Sequence, residues 1–360
     1  MSAKIKTAVL GCGKVGHFHA HAFQTLKDSE FSGVWSRNFE RAEGFGAQYG
    51  VPAFRTIEEL AQKTGANAAA ICTTHLSHAK VAVEAARCGM HLFIEKPLAI
   101  SLEDCDAILE AADKYGVKVG VTCQRRCFPA SQRVKQAIDQ GKIGQPMLGQ
   151  IQMLGWRDKA YYDSDGWRGT WDGEGGGVLV NQAPHQLDLL QWYMGEIDEV
   201  FGTWANLNHP YIEVDDTAIA VVKFKNGALA NIIVTNSVNP ALYGKVHIYG
   251  SSGAGVGVQT DGGQMFIAGV SAVSEPAYND LWTVPGEEQL AEQWKQEDTE
   301  FFASIDATRH FHVMLAEDFL KAIINDTQPL VTGIDGRRTV ELFQAIYLSE
   351  KLKKVIKLPL

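Results

Sequence analysis

The feature that most constrains this chain sits at its start. Residues 5–10 form an apolar-biased run that leads straight into Gly11-Cys12-Gly13-Lys14-Val15-Gly16, and a helix is expected over residues 14–26. Glycines at this spacing, between a strand and a helix, serve a tight turn, a close backbone approach to a pyrophosphate, and close helix–strand packing. The free amides and dipole of the helix N-terminus favour an anion there. Gly11, Gly13, Lys14, Val15 and Gly16 are therefore read as the phosphate end of a dinucleotide site.

The next hundred residues keep alternating. Strands are expected at residues 31–35, 53–54, 68–73, 90–94 and 117–121. Helices are expected at 38–49, from Thr56, at 77–88 and from Ser101. Thr56-Ile57-Glu58-Glu59 is a capping box, in which threonine and glutamate satisfy each other's exposed amides. Such βαβ alternation argues for an α/β domain with a doubly wound parallel sheet, over residues 1–124.

Past residue 125 the texture changes. A bridging helix is expected at 131–140, then longer strands at 147–154, 200–207, 217–224, 229–236 and 246–249. Lys225-Asn226-Gly227 reads as a hairpin turn. Gly250, Gly253, Gly255, Gly257, Gly262 and Gly263 suggest turns, and the tail suggests helices at 311–325 and 336–352 with a strand at 355–358. Residues 125–360 thus read as an α+β domain with a mostly antiparallel sheet.

Composition narrows the function. A length of 360 residues suits two domains. A net charge of −9 with no basic stripe argues against nucleic acid. No apolar run approaches the ~20 residues that span a bilayer, so no membrane partner is expected. No signal peptide is recognisable, and six cysteines without a C-x-x-C pair fit a reducing cytoplasm.

Three groups of residues carry chemistry. Glu95-Lys96-Pro97 ends the apolar run at 90–94, so the lysine falls at the carboxyl end of a parallel strand, where open α/β sheets bind ligands. Proline stiffens that corner, and an ammonium held there can polarise a substrate oxygen. At the end of the second strand, where NAD sites usually place an acid, the chain has Ser36-Arg37-Asn38. Serine and arginine can bind a 2′-phosphate, so NADP(H) is favoured and NAD(H) remains possible, with Arg41 as a second candidate. Thr73 and Thr74 end the next strand, and His78, Glu95 and Lys96 are counted with them as cofactor contacts.

The third group lies in the second domain. Gly175-Gly176-Gly177 precedes Asn181, His185 and Asp188, spaced i, i+4, i+7. Pro184 implies either a kinked helix or one that begins near it. His185 suits proton transfer with a hydroxyl, and Asp188 either orients the imidazole or is a plain helix charge. Arg126, Trp156, Arg157, Tyr161, Trp167 and Arg168 supply aromatic faces and planar donors for a polyhydroxylated ligand. His17, His19 and His21 read as packing or cofactor-facing residues, and no metal is expected.

Taken together, these motifs resemble the glucose–fructose oxidoreductase/inositol dehydrogenase/MocA family over essentially the whole chain. The marks are the glycine turn, Glu95-Lys96-Pro97, the glycine triplet leading to His185 and Asp188, and the ending from Pro329 through Asp335-Gly336 to Leu358-Pro359. The resemblance implies a Rossmann domain and a large open antiparallel sheet that often serves oligomerisation, here a homo-dimer or homo-tetramer. It also implies NAD(P)-dependent hydride transfer at a hydroxyl or keto carbon of a sugar, sugar derivative or cyclitol. Lys96 would contact substrate and nicotinamide, and His185 would be the acid/base. The family often has aspartate where this chain has Asn181. A nucleotide-dependent glycosidase of the same family and a non-catalytic nucleotide sensor are the alternatives.

Overall fold

Ile5–Leu10 (β1) is buried along nearly its whole length, as a central parallel strand must be. The computed structural model describes residues 4–260 and 276–360, and Gly262 and Gly263 lie outside them. β1 joins β2 (Ser29–Trp35), β3 (Ala53–Phe54), β4 (Ala68–Ile71), β5 (His91–Glu95) and β6 (Val119–Thr122) in the order β3-β2-β1-β4-β5-β6. All of these pairings are parallel. The connecting helices are α1 (Gly16–Thr25), α2 (Phe39–Tyr49), α3 (Ile57–Thr64), α4 (His78–Arg87) and α5 (Leu102–Tyr115). Asn38, Thr56 and Ser101 cap α2, α3 and α5, each accepting a backbone amide three residues on. Helix α1 starts two residues later than expected, because Lys14 and Val15 belong to the turn. The strand order reverses between β1 and β4, and the crevice beyond their carboxyl ends is where such sheets take a ligand.

The chain continues through α6 (Pro129–Asp139), β7 (Pro146–Leu154), α7 (Lys159–Asp163) and α8 (Trp171–Glu174). A π-helical turn (Val178–Gln182) then leads into α9 (Pro184–Met194), so the helix begins at the proline. Next come β8 (Ile197–Ala205), β9 (Thr217–Phe224), β10 (Leu229–Thr235), β11 (Tyr243–Gly250), β12 (Gly255–Gln259), β13 (Tyr278–Trp282) and α10 (Leu290–Ala303). The chain closes with α11 (Ala307–Ile324), α12 (Gly333–Leu352) and β14 (Ile356–Lys357). The second sheet has the order β13-β12-β11-β7-β10-β9-β8-β14. It is antiparallel except where β7 meets β10.

Two compact units result: one up to Gln124 plus Ala307–Arg337, the other Arg125–Asp306 plus Arg338–Leu360. Assigning all of 125–360 to one domain is corrected here, since α11 belongs with the first unit. There Phe319 stacks on Phe93 of β5, ring centroids 5.1 Å apart, and covers Gly120 of β6. Helices α7, α8 and α10 and strands β12 and β13 were not expected. Gly255 and Gly257, read as turn residues, lie within β12. A Cβ on Gly257 would run into the His247 ring on the neighbouring strand, and one on Gly255 would crowd Tyr249. These glycines make room for aromatic neighbours rather than for turns.

One face of the second sheet carries its core: Val200, Ala220, Val222, Ala230, Ile232, Ile151, Val246 and Ile248 are buried. The opposite face presents Phe201, Ile219, Val221, Leu229 and Leu148 exposed. Phe201 pairs with Val221 and Leu229 with Leu148, but Val221 next faces Asn231 and Leu229 faces Lys223, so these are short apolar pairs set among polar residues.

Candidate active site

The first unit builds its ligand end from the glycine turn. Gly11 follows β1 with φ +116°, and a Cβ there would lie 2.5 Å from the Cys72 carbonyl carbon. A Cβ on Gly16 would lie 2.5 Å from the Gly11 carbonyl oxygen. Both glycines are demanded by packing. Gly13 differs: its φ is ordinary, and a Cβ would meet nothing within 4 Å. No side chain caps α1, and no acid lies in its first turn. An open approach at Gly13, beside uncapped amides and the positive helix end, fits the pyrophosphate of a nicotinamide dinucleotide.

The residues expected around the rest of the nucleotide divide into two sets. Lys14, Val15, Arg37 and Arg41 are exposed, and Ser36, Thr73 and Thr74 are half-buried. Arg41 lies close enough to the turn to pull the Cys12 thiol down, although burial dominates and pushes it up to about 12. His78 and Glu95, expected as cofactor contacts, are buried, and their side chains bond within the first unit. His78 is fully buried, with Nδ1 3.0 Å from the Pro97 carbonyl and Nε2 3.1 Å from the Thr73 carbonyl. It ties together the loops that leave β4 and β5. The Glu95 carboxylate lies 2.7 Å from His19 Nε2, and its other oxygen accepts the Lys96 amide at 3.3 Å. Lys96 itself is half-buried one residue beyond β5.

His17 and His19 behave as packing residues. His17 bonds the Tyr49 hydroxyl at 2.8 Å and lies against Phe45, and His19 is wholly buried.

In the second unit the glycine triplet has a structural cause. A Cβ on Gly177 would overlap the Asp215 carbonyl, and one on Gly176 would overlap the Tyr347 hydroxyl. The Asp215 carboxylate accepts the Gly177 amide at 2.7 Å and the Leu179 amide at 3.0 Å. It thereby caps the π-helical turn and sets the entry to α9. His185 lies in the first turn of α9 and is buried.

Asp188 does not stand beside His185 as an unattached charge. Its carboxylate is held by both arms of Arg126, with Nε–Oδ2 at 2.8 Å and Nη2–Oδ1 at 2.6 Å. Both partners are buried, and Arg126 also lies over Trp192, 5.2 Å from its centroid. Arg126, expected to touch a sugar, therefore spends its guanidinium inside the unit.

Tyr161 is the hub of the remaining polar cluster. Its hydroxyl accepts from Arg168 at 2.6 Å, Gln182 at 2.8 Å and Asn181 at 3.2 Å. Arg157 and Arg168 also lie over its ring, at 5.4 and 4.4 Å. Burial pushes the phenol up to about 12, so it stays protonated. Trp156 and Trp167 are half-buried at the margin of this cluster. The sequence reading missed Glu174 and Gln182. Asn181 donates a short hydrogen bond to Glu174, whose second oxygen accepts the Gly169 amide at 2.7 Å. Burial pushes the Glu174 carboxyl up to about 7, against those bonds. Its only signal in the sequence was a lone acid directly before the glycine triplet.

Comparison with known proteins agrees with this architecture. Residues 5–123 match the model described as an oxidoreductase family with an NAD-binding Rossmann fold, and residues 131–256 match the model of the GFO/IDH/MocA C-terminal domain. The chain belongs to this family. It is an NAD(P)-dependent oxidoreductase. Myo-inositol 2-dehydrogenase of Thermotoga maritima is 25% identical over 98% of both chains. scyllo-Inositol 2-dehydrogenase (NAD(+)) of Bacillus subtilis is 29% identical over 64% of this chain and 67% of its own. Among solved structures, the WlbA dehydrogenase of Bordetella pertussis, in complex with NADH and UDP-GlcNAcA, superposes with a TM-score of 0.86 at 28% identity. That match covers 100% of this chain and 99% of the other. Among the described residues, no helix is long and apolar enough to cross a membrane.

Proposed function

We propose that this oxidoreductase interconverts a hydroxyl and a keto carbon of a sugar, sugar derivative or cyclitol, with Lys96 and His185 as its catalytic residues and NADP(H) as the favoured cofactor. The observation that carries the assignment is Lys96 itself, one residue past β5, with its amide tied to Glu95 and the next carbonyl tied to His78. An ammonium on so fixed a corner suits the stabilisation of a developing alkoxide. The full-length likeness to an inositol dehydrogenase and to a protein holding a nucleotide sugar supports the substrate class. The buried donors around Tyr161 support a polyhydroxylated ligand.

A bound nicotinamide would accept or return the hydride at C4. In the oxidative direction His185 takes the hydroxyl proton, and Lys96 lowers the energy of the negative oxygen left behind. In the reductive direction His185 returns the proton to that oxygen. NADP is favoured because β2 runs out into Ser36, Arg37 and Asn38, with no carboxylate to repel a 2′-phosphate and with exposed Arg37 and Arg41 to bind one. The exposed apolar side chains Phe201, Ile219, Val221, Leu229 and Leu148 on one face of the second sheet support self-association through that face into a dimer or tetramer. None of the six cysteines is paired, which fits a reducing compartment.

The test is a screen of monosaccharides, cyclitols and nucleotide sugars with NAD and NADP, following the reduced cofactor. On the substrate found, Lys96→Ala should lower turnover about 100-fold or more while nucleotide affinity stays within about threefold. Unchanged turnover in Lys96→Ala, or release of free sugar without net cofactor reduction, refutes the assignment.

A further inference from the structure

Arg168 is a buried guanidinium that no carboxylate of the described residues meets at hydrogen-bond distance. Its side chain is 7% exposed, and the rings of Tyr161 and Trp167 lie 4.4 and 4.5 Å from its central carbon. Such contacts take up the apolar surface of the group and leave its N–H donors, all in one plane, to polar partners. Nη1 donates to the Tyr161 hydroxyl at 2.6 Å. Nε is buried and has no hydrogen-bond partner among the described residues. Its ion-pair partner, Asp165, stands 3.5 Å from Nε, and the aspartate side chain is 31% exposed.

Other guanidinium groups of this unit are served differently. Arg126 turns Nε and Nη2 onto both oxygens of Asp188 at 2.8 and 2.6 Å. Arg133 holds Asp298 through Nη1 and Nη2 at 2.7 and 2.9 Å. A buried charge without such a partner leaves its desolvation uncompensated. The fold tolerates that at Arg168, in the polar cluster that leads to His185. The Tyr161 hydroxyl that takes Nη1 also accepts Gln182 at 2.8 Å and Asn181 at 3.2 Å, and both belong to the π-helical turn before α9. Glu174 does not supply the missing charge. Its oxygens are engaged by Asn181 and the Gly169 amide, and burial pushes its carboxyl up to about 7, so near neutral pH much of it is uncharged.

We propose that Arg168 is the seat of a carboxylate carried by the substrate, so that the sugar this enzyme oxidises or reduces is a sugar acid, such as a uronic acid, rather than a neutral sugar or cyclitol. This rests on the reading of the Tyr161 cluster as the sugar site. A flat carboxylate matches a side-on pair of guanidinium donors, as Asp188 does on Arg126. A phosphate is a tetrahedral dianion, which one guanidinium among neutral donors leaves under-neutralised. Half-buried Asp165, close to Nε but not bonded to it, is the group that the ligand carboxylate displaces. An anchor at one end of the sugar also fixes which hydroxyl is presented for reaction.

The experiment is calorimetry on the full wild-type chain with excess NADPH and, separately, NADH, so that a bound sugar alcohol is not turned over. The probes differ only at C6: glucose, glucuronate and glucose 6-phosphate; the corresponding galactose set; and UDP-glucose against UDP-glucuronate. In at least one set the uronate should bind about tenfold or more tighter than its neutral and phosphorylated counterparts. Arg168→Gln should bring the uronate to within about threefold of the neutral sugar, and leave the neutral sugar's affinity within about threefold of wild type. Absence of a uronate preference in every set overturns the proposal. Preference for the 6-phosphate overturns it in favour of a phosphorylated sugar. A uronate preference that survives in a folded Arg168→Gln removes Arg168 as the seat. The wild-type comparison decides first, even if the variant fails to fold. Binding is read without turnover, so an enzyme that oxidises neutral sugars through Lys96 and His185 fails here and keeps its catalytic reading, whereas full turnover in Lys96→Ala leaves this proposal standing.

Discussion

Glu174→Gln should change how the stability of the second unit depends on pH. Glu174 is buried and bonded to Asn181 and to the Gly169 amide, and burial moves its carboxyl from 4.5 to about 7. An acid held that high releases its proton in the unfolded chain near pH 4.5 but in the folded chain only near pH 7. Between those limits the folded state binds more protons, so stability must fall as pH rises. At about 1.4 kcal/mol per tenfold change in proton affinity, the penalty reaches about 3 kcal/mol above pH 7 and is absent below pH 4.5. Glutamine keeps a carbonyl for the Gly169 amide and removes the titration. Urea unfolding followed by tryptophan fluorescence suits the measurement, because seven of the eight tryptophans, all but Trp35, lie in the second unit. The stability of Glu174→Gln relative to wild type should rise by about 3 kcal/mol between about pH 4.5 and pH 8. Curves that stay parallel across that range would show that Glu174 ionises normally in the folded chain, and the account of this cluster would fail.

The same cluster predicts that Asn181→Asp, which sets a second carboxylate against Glu174, costs about 1–3 kcal/mol at pH 8 and less at pH 5, read by the same unfolding curves. Asp188→Asn strands the buried Arg126 guanidinium and should cost about 3–5 kcal/mol, seen as a lowered urea midpoint. Gly13→Ala should leave the melting temperature nearly unchanged, since its Cβ meets nothing within 4 Å, yet weaken nucleotide binding about tenfold or more by calorimetry. The double variant Arg37→Ala/Arg41→Ala should lose about tenfold or more in NADPH affinity and little in NADH affinity; equal losses for both would remove the case for NADP.

The first unit was largely legible because its signals are local. A strand, a glycine turn and a helix within 25 residues announce themselves by spacing, and Thr56 and Ser101 cap their helices as their types suggest. What escaped depends on partners distant in sequence. The return of α11 to the first unit shows only when Phe319 is seen on Phe93, 226 positions earlier. His312 gave no hint of meeting Glu95, nor Asp106 of meeting Arg337 at 2.5 Å. Strand β12 was hidden because its glycines answer to His247 and Tyr249 on the next strand, not to their own neighbours in sequence.

Glycine itself shows where such reading stops. Gly11-Cys12-Gly13-Lys14-Val15-Gly16 and Gly175-Gly176-Gly177 look like equal invitations to a ligand. What an added Cβ would meet separates them. At Gly176 and Gly177 it collides with Tyr347 and Asp215, so the triplet is explained by the protein alone, as a close seat for the carboxylate that caps the turn before His185. At Gly11 and Gly16 it collides with Cys72 and with Gly11 itself. Only Gly13 combines an ordinary φ with empty space at the mouth of an uncapped helix, and packing gives no reason for a glycine there. A residue that the fold does not require, at a place where the fold leaves an anion site open, is the one whose identity a ligand must explain.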